Sequence, residues 1–172
     1  GKAPEITPEC LIDIRIDAFI PEKYISNQAQ RVDCYRKIAM IENDEDAYDV
    51  TDELIDRYGD VPRAVEGLIE VAKLRRIAQK MHLTEIIQSG DVMIFYPEKT
   101  DKKTMERVSA VGGKFGKDMM LNIATDKPNF RVNGTDKHGG ALALLADTLA
   151  AMQSVDKDSD KENMTEEGEN NG

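Results

Sequence analysis

Apolar residues change their period along this chain, and the changes mark out its elements. Between Leu11 and Ile16, Ile12, Ile14 and Ile16 alternate with Asp13 and Arg15, the period of two of a half-buried strand. Pro21 ends it, and Pro21 to Gln28 reads as a turn. From Gln28 to Ile41, Val32, Cys34, Tyr35, Ile38, Ala39 and Ile41 cover one broad side of a helix. A second helix is expected from Asp44 or Glu45 to Tyr58, with Asn43 or Asp44 as N-cap and Gly59 as C-cap. Ala47, Val50, Leu54 and Tyr58 form its apolar stripe. A third helix runs from near Asp60 to Met81, with Pro62 in the first turn, where its missing N–H costs nothing. Ala64, Leu68, Val71 and Ala78 lie along the centre of its apolar face, flanked by Val61, Val65, Ala72 and Leu74.

After His82 strand and helix patterns alternate. Leu83 to Gln88 and Val92 to Tyr96 surround Ser89-Gly90-Asp91, a hairpin signal. Lys102 to about Val111 predicts a helix with Met105, Val108 and Val111 inward. Lys117 to Ala124 and Phe130 to Val132 are short strands, and His138 to Gln153 is a strongly apolar last helix. From Ser154 the chain has seven acids and two bases, which predicts a disordered acidic tail. The fold class is therefore α+β, with α/β alternation in the second half. A small mixed sheet packs on amphipathic helices in one domain, residues 11–153, between a polar lead (1–10) and the tail (154–172).

Composition narrows the function classes. The chain has 172 residues, 40% hydrophobic and 5% aromatic, enough for one modest core. No run of about 18 apolar residues is present, so no transmembrane helix and no membrane partner are expected. The opening GKAPEITPEC lacks the basic-then-apolar pattern of a signal peptide, which predicts a cytoplasmic setting. Cys10 and Cys34 are too few for a disulfide framework and have no companions at zinc spacing, so both are expected reduced and packed. A net charge of −10 argues against direct contact with nucleic acid, which needs clustered Lys and Arg.

Charge is unevenly placed. Between Glu42 and Asp60 there are nine acids and one base, Arg57. At about 100° per residue, Asp46, Asp49, Asp52, Glu53 and Asp56 fall opposite the apolar stripe. Like charges at these spacings repel, and only the early acids complement the helix dipole. Two readings stay open for this face: a solvated surface that keeps the chain soluble, or a docking surface for a basic patch. Val61 to His82 reverses the balance, with five bases and two acids. Arg75 projects from the apolar side there, where an ion pair or a snorkelling stem is expected.

Catalytic motifs are absent. Gly112-Gly113-Lys114-Phe115-Gly116-Lys117-Asp118 has too few residues between its outer glycines for a phosphate loop and follows a helix pattern. Its glycines are better suited to a tight helix-to-strand turn. His82, expected to close a helix, and His138, expected to open one, have no companions at ligand spacing. The acids from Asp44 to Asp56 lack the glycine and spacing of a calcium loop. No catalytic, cofactor-binding or metal-binding residue is expected.

One run is more specific than any of these. Val50-Thr51-Asp52-Glu53-Leu54-Ile55-Asp56-Arg57-Tyr58-Gly59-Asp60-Val61-Pro62, continuing to Arg75-Arg76-Ile77-Ala78-Gln79-Lys80, resembles the C-terminal domain of bacterial transcription-repair coupling factor. The upstream Asp17-Ala18-Phe19-Ile20-Pro21, then Arg31 and Tyr35-Arg36-Lys37-Ile38-Ala39, fits the same pattern. The resemblance is strongest from Leu11 to Phe95, diffuse from there to Gln153, and does not extend to the acidic tail. It implies a fragment of an ATP-driven DNA translocase that removes stalled RNA polymerase and recruits nucleotide excision repair. ATP and magnesium would belong to motor domains outside this stretch. The domain itself would be a non-catalytic regulator that docks on the N-terminal repair-factor-binding module and masks the surface for the damage-recognition ATPase. Glu53 and Asp56, with Asp49 and Asp52, are the docking residues expected on that reading. Two rival readings are an accessory nucleic-acid contact through Arg63, Lys73, Arg75, Arg76 and Lys80, and a small enzyme with an unrecognised pocket.

Overall fold

The computed structural model describes residues 9–169. Residues 1–8 of the expected polar lead and 170–172 of the expected tail lie outside the described residues. The order is β1 (Leu11–Asp13), α1 (Gln28–Ala39), α2 (Asp44–Tyr58), α3 (Arg63–Lys80), β2 (Leu83–Ser89), β3 (Val92–Pro97), α4 (Lys102–Phe115), β4 (Met119–Asn122), β5 (Asn129–Asn133) and α5 (Ala141–Glu169). The fold is α+β with a mixed sheet, as the hydropathy pattern predicts. Among the described residues, contacts gather into two compact units, one of residues 15–77 and one of residues 9–14 with 78–169.

The helical unit is built on α1, α2 and most of α3. Its core is Ile20, Ile25, Cys34, Ile38, Ile41, Ala47, Leu54, Val65, Ile69 and Ala72, with Tyr24, Val50 and Tyr58 packed against it. Both ends of α1 have partners for their loose backbone groups. Asn27 Oδ1 accepts the Gln30 N–H at 3.0 Å at the start of α1. At the end of α1, the Arg76 guanidinium of α3 donates to Ile41 O (2.9 Å) and Ala39 O (3.2 Å). On α3, Val65, Ile69 and Ala72 are buried whereas Ala64, Leu68 and Val71 are half-buried. Up to Ala72 the inward face is thus turned by one residue, about 100°, from the centre expected from sequence, while Ala78 of that centre is fully buried. Alanine and valine are too evenly spread on this helix to mark one stripe.

The second unit is a five-stranded sheet in the order β1-β2-β3-β5-β4. β1 runs parallel to β2, and the remaining pairs are antiparallel. The β2–β3 hairpin turns at Gly90, whose φ of 60° suits a residue without Cβ. Phe95 and Phe130, opposite each other in the register, stack at 4.8 Å between ring centres. Phe95, Phe130, Val111, Leu144, Leu145 and Leu149 are fully buried, so sheet, α4 and α5 share one core.

Four boundaries differ from expectation. Strand pairing of β1 stops at Asp13, although Ile14 and Ile16 stay half-buried and Arg15 exposed. The alternation of two reports which side faces protein, and says nothing about a hydrogen-bonding neighbour. α4 continues through Gly112 and Gly113 to Phe115, and Gly116 (φ 56°) ends it. Val108, Val111 and Phe115, all buried on one face, hold the helix across two weak residues. α5 starts at Ala141 because Gly139 and Gly140 hold φ of 95° and 97°, which leaves His138 in the preceding turn.

The fourth difference is the largest. No disordered tail begins at Ser154, because α5 continues as helix to Glu169. The Arg107 guanidinium grips Asp156 with two bonds of 3.1 Å, and Lys103 donates to Ser159 Oγ at 3.2 Å. Local composition predicted disorder, but bases on α4 supply partners that composition does not reveal.

Candidate docking surface

The acid-rich helix α2 is firmly placed. Asn43 Oδ1 accepts the Asp46 N–H at 2.8 Å, and Asp46 Oδ2 accepts the Glu42 N–H at 3.0 Å. The acids of its first turn, Asp44, Glu45 and Asp46, face the positive end of the helix dipole. At the far end Gly59 (φ 85°) donates to Ile55 O at 3.0 Å. The Tyr24 hydroxyl reaches Leu54 O (3.3 Å) and Gly59 O (3.1 Å), tying that end to the turn before α1. Ala47 and Leu54 point into the core, as the stripe predicts.

The four expected docking residues then separate. Asp49, Asp52 and Asp56 are exposed and have no hydrogen bond or ion pair within the described residues. Glu53 is turned toward α1, where its Oε1 lies 2.6 Å from Lys37 Nζ and 3.3 Å from Arg57 Nη1. The Lys37 ammonium, and less strongly Arg57, hold the Glu53 carboxyl below its usual range. Its hydrogen bond to Glu53 raises Lys37 above the ordinary lysine value. The cavity beneath this cluster is about 30 Å³, room for about one water. Cys34 lines it, and burial pushes its thiol up, which suits packing better than nucleophilic chemistry.

A second feature of α2 has no counterpart in the sequence reading. Tyr48 and Ile55 are 73% and 47% exposed. Seven residues apart, they share one face, about 100° around from Asp49 and Asp56. That face forms one wall of an open groove of about 660 Å³, whose other wall is α3 with Ile69, Glu66, Glu70 and Lys73. A helical wheel would have flagged both residues as apolar positions off the buried stripe.

Basic residues considered for a nucleic-acid contact are partly engaged already. Lys73 pairs with Asp44 (3.0 Å) and Glu70 (3.7 Å), and Asp44 raises its pKa most. Arg76 is bonded to the end of α1. Arg75 is half-buried and pairs with no acid within the described residues, so of the two expectations the ion pair is not met. His82 follows α3 in a left-handed turn (φ 56°) with Nδ1 3.5 Å from Glu98. His138 and Lys137 meet Asp118 at 3.0 and 2.7 Å. The hydrogen bond from Lys137, and less strongly the one with His138, hold the Asp118 carboxyl low. Among the described residues no three His, Cys, Asp or Glu side chains gather to hold a metal. Nor, among them, is any helix long and apolar enough to cross a membrane.

Comparison with known proteins bears on the whole arrangement. A family profile described as a TRCF domain matches residues 14–108. The transcription-repair-coupling factor of Bacillus subtilis is 26% identical over 159 residues, covering 91% of this chain and 13% of that protein. That of Staphylococcus epidermidis is 24% identical over 155 residues, covering 89% and 13%. A shorter match to the factor of Staphylococcus haemolyticus reaches 35% identity over 83 residues, 48% of this chain and 7% of that one. The chain thus spans 13% of the length of the relatives it matches over most of its own. A crystal structure of the C-terminal domain of transcription-repair coupling factor shares the fold, with a TM-score of 0.68, at 20% identity, covering 87% of this chain and 93% of that one.

Proposed function

The chain belongs to the TRCF domain family, and on that premise we propose that it is the regulatory C-terminal domain of a transcription-repair coupling factor, a docking module without catalysis of its own. The parent would be a cytoplasmic, ATP-driven DNA translocase that removes stalled RNA polymerase and recruits nucleotide excision repair. ATP and magnesium would be held by motor domains outside this chain. The module docks on the N-terminal repair-factor-binding module of the same protein and covers the surface that receives the damage-recognition ATPase. Such a role needs a contact that forms and releases, and exposed charge gives orientation and encounter rate at modest affinity.

The observation that carries this reading is the row of unpaired carboxylates on α2: Asp49, Asp52 and Asp56. The rest of the helix is tied down, so the row is presented on a rigid support. Glu53 contributes to docking only if a partner cation displaces Arg57 from it.

The test is binding of this chain to the N-terminal module of its parent, titrated with salt, for the native sequence and for Asp49→Asn/Asp56→Asn. Binding that weakens with salt and falls roughly tenfold in the variant supports the reading, since rim charges act mainly on association. Equal binding by both returns the face to a solvated surface.

A further inference from the structure

We propose that the groove between α2 and α3 receives a basic amphipathic helix of a partner polypeptide. Its aliphatic residues would lie over Tyr48 and Ile55, and its Arg or Lys side chains would meet Asp52 and Glu66. This goes beyond the docking role given to Asp49 and Asp56, which face another way, while Asp52 lies between the two faces and borders both.

Three observations define the occupant. The groove is apolar at its floor and inner wall: Ala47 and Ile69 are each 7% exposed, while Tyr48 and Ile55 leave large apolar surface in water. Contiguous exposed apolar surface beside a concavity marks a contact site. The rim carries four acids, Asp44, Asp52, Glu66 and Glu70, and one base, Lys73. Lys73 is already held between Asp44 and Glu70, while Asp52 and Glu66 have no partner within the described residues. Finally, the walls are two helices, whose backbone groups are used internally, so recognition runs through side chains.

Those features exclude other occupants on charge. A second copy of this groove would set acid rim against acid rim, and nucleic acid would be repelled. A neutral small molecule would cover Asp52 and Glu66 without pairing them, at the cost of burying unpaired charge. A helix with aliphatic residues at spacings of three, four and seven, flanked by bases, satisfies both floor and rim.

The experiment selects a helix-constrained random peptide library on the full 172-residue chain and reads the enriched sequences. Enrichment of Arg and Lys beside aliphatic residues at helical spacing is expected. The best peptide should bind at least tenfold more weakly to Tyr48→Ala/Ile55→Ala, and more weakly to Asp52→Asn/Glu66→Gln, with salt weakening it further. All four side chains lie at the surface, so circular dichroism should show both variants folded. Enrichment of acidic or patternless peptides, no enrichment, or unchanged binding to Tyr48→Ala/Ile55→Ala would overturn the proposal. So would self-association of the chain that this variant abolishes, which would assign the groove to a second copy. The N-terminal module serves as a separate probe: its loss from Asp49→Asn/Asp56→Asn but not from Tyr48→Ala/Ile55→Ala would show that the two surfaces act independently.

Discussion

Seven acids lie between Asp44 and Tyr58 on α2, and seven between Ser154 and Glu169 on α5. Asp156 of α5 and the row Asp49, Asp52 and Asp56 of α2 end in opposite situations. On α5, Asp156 is gripped by Arg107, whose side chain is 10% exposed, with Lys103 3.6 Å away. On α2, Glu53 meets Lys37 of α1 and Asp44 meets Lys73 of α3, whereas Asp49, Asp52 and Asp56 stay outside. A count of acids therefore does not separate a paired face from an unpaired one. What separates them is whether a neighbouring helix brings a base within reach.

The sharpest way to break this contrast is Arg107→Ala. It removes two charge-assisted bonds from a half-buried aspartate and should cost on the order of 2 kcal/mol. Urea denaturation would read the loss. Amide exchange should show the turns of α5 beyond Gln153 opening first, since Lys103 alone is left to hold them. If stability and exchange stay unchanged, the end of α5 is held by something other than this grip. Next in size is Tyr24→Phe, which frees two carbonyls at the end of α2 and should cost about 1 kcal/mol. An unchanged urea midpoint would mean water replaces the hydroxyl.

The same contrast explains how much of the molecule was legible in its residues. Helix α2 is read correctly end to end, because its cap, its stripe and Gly59 all act locally. The β2–β3 hairpin is equally clear, with its turn glycine between two apolar runs. The end of α5 was illegible because its partners, Arg107 and Lys103, lie about fifty residues earlier on another helix. Glu53 was grouped with the exposed acids for the same reason: its partner Lys37 sits on α1, and angular position alone places it with Asp49 and Asp56. Tyr48 and Ile55 were visible as apolar positions off the stripe. The groove they border depends on where α3 lies, which periodicity does not give.

Glu53→Gln is a smaller perturbation. The pair with Lys37 is about two-fifths exposed on each side, so solvent screens it and its loss should cost no more than about 1 kcal/mol. Its pH dependence has a definite sign. The folded Glu53 carboxyl is held low, so the native chain gains stability above the ordinary glutamate range and loses it as pH falls through the folded value. Lys37, held high, contributes below the ordinary lysine range and loses its contribution as pH rises through its folded value. The difference in urea midpoint between native and Glu53→Gln chains should therefore be widest near neutrality and close at both extremes. A difference that persists in acid would mean that packing, and not charge, accounts for the effect.

Asp49→Asn/Asp56→Asn should have the smallest effect on the isolated chain. These carboxylates bond to nothing within the described residues, and they crowd other acids on the same helix. Removing two charges relieves repulsion worth a few tenths of a kcal/mol per pair, so stability should stay level or rise slightly, most visibly at low salt. Surfaces kept for solubility alone and surfaces kept for a partner both tolerate this change in the free chain. They part only when the N-terminal module is present, where the substitution leaves a solvated face unaffected and weakens a docking face. A drop in the urea midpoint of the free chain would instead give these aspartates a structural role like that of Asp156, and the contrast between the two acid-rich helices would collapse.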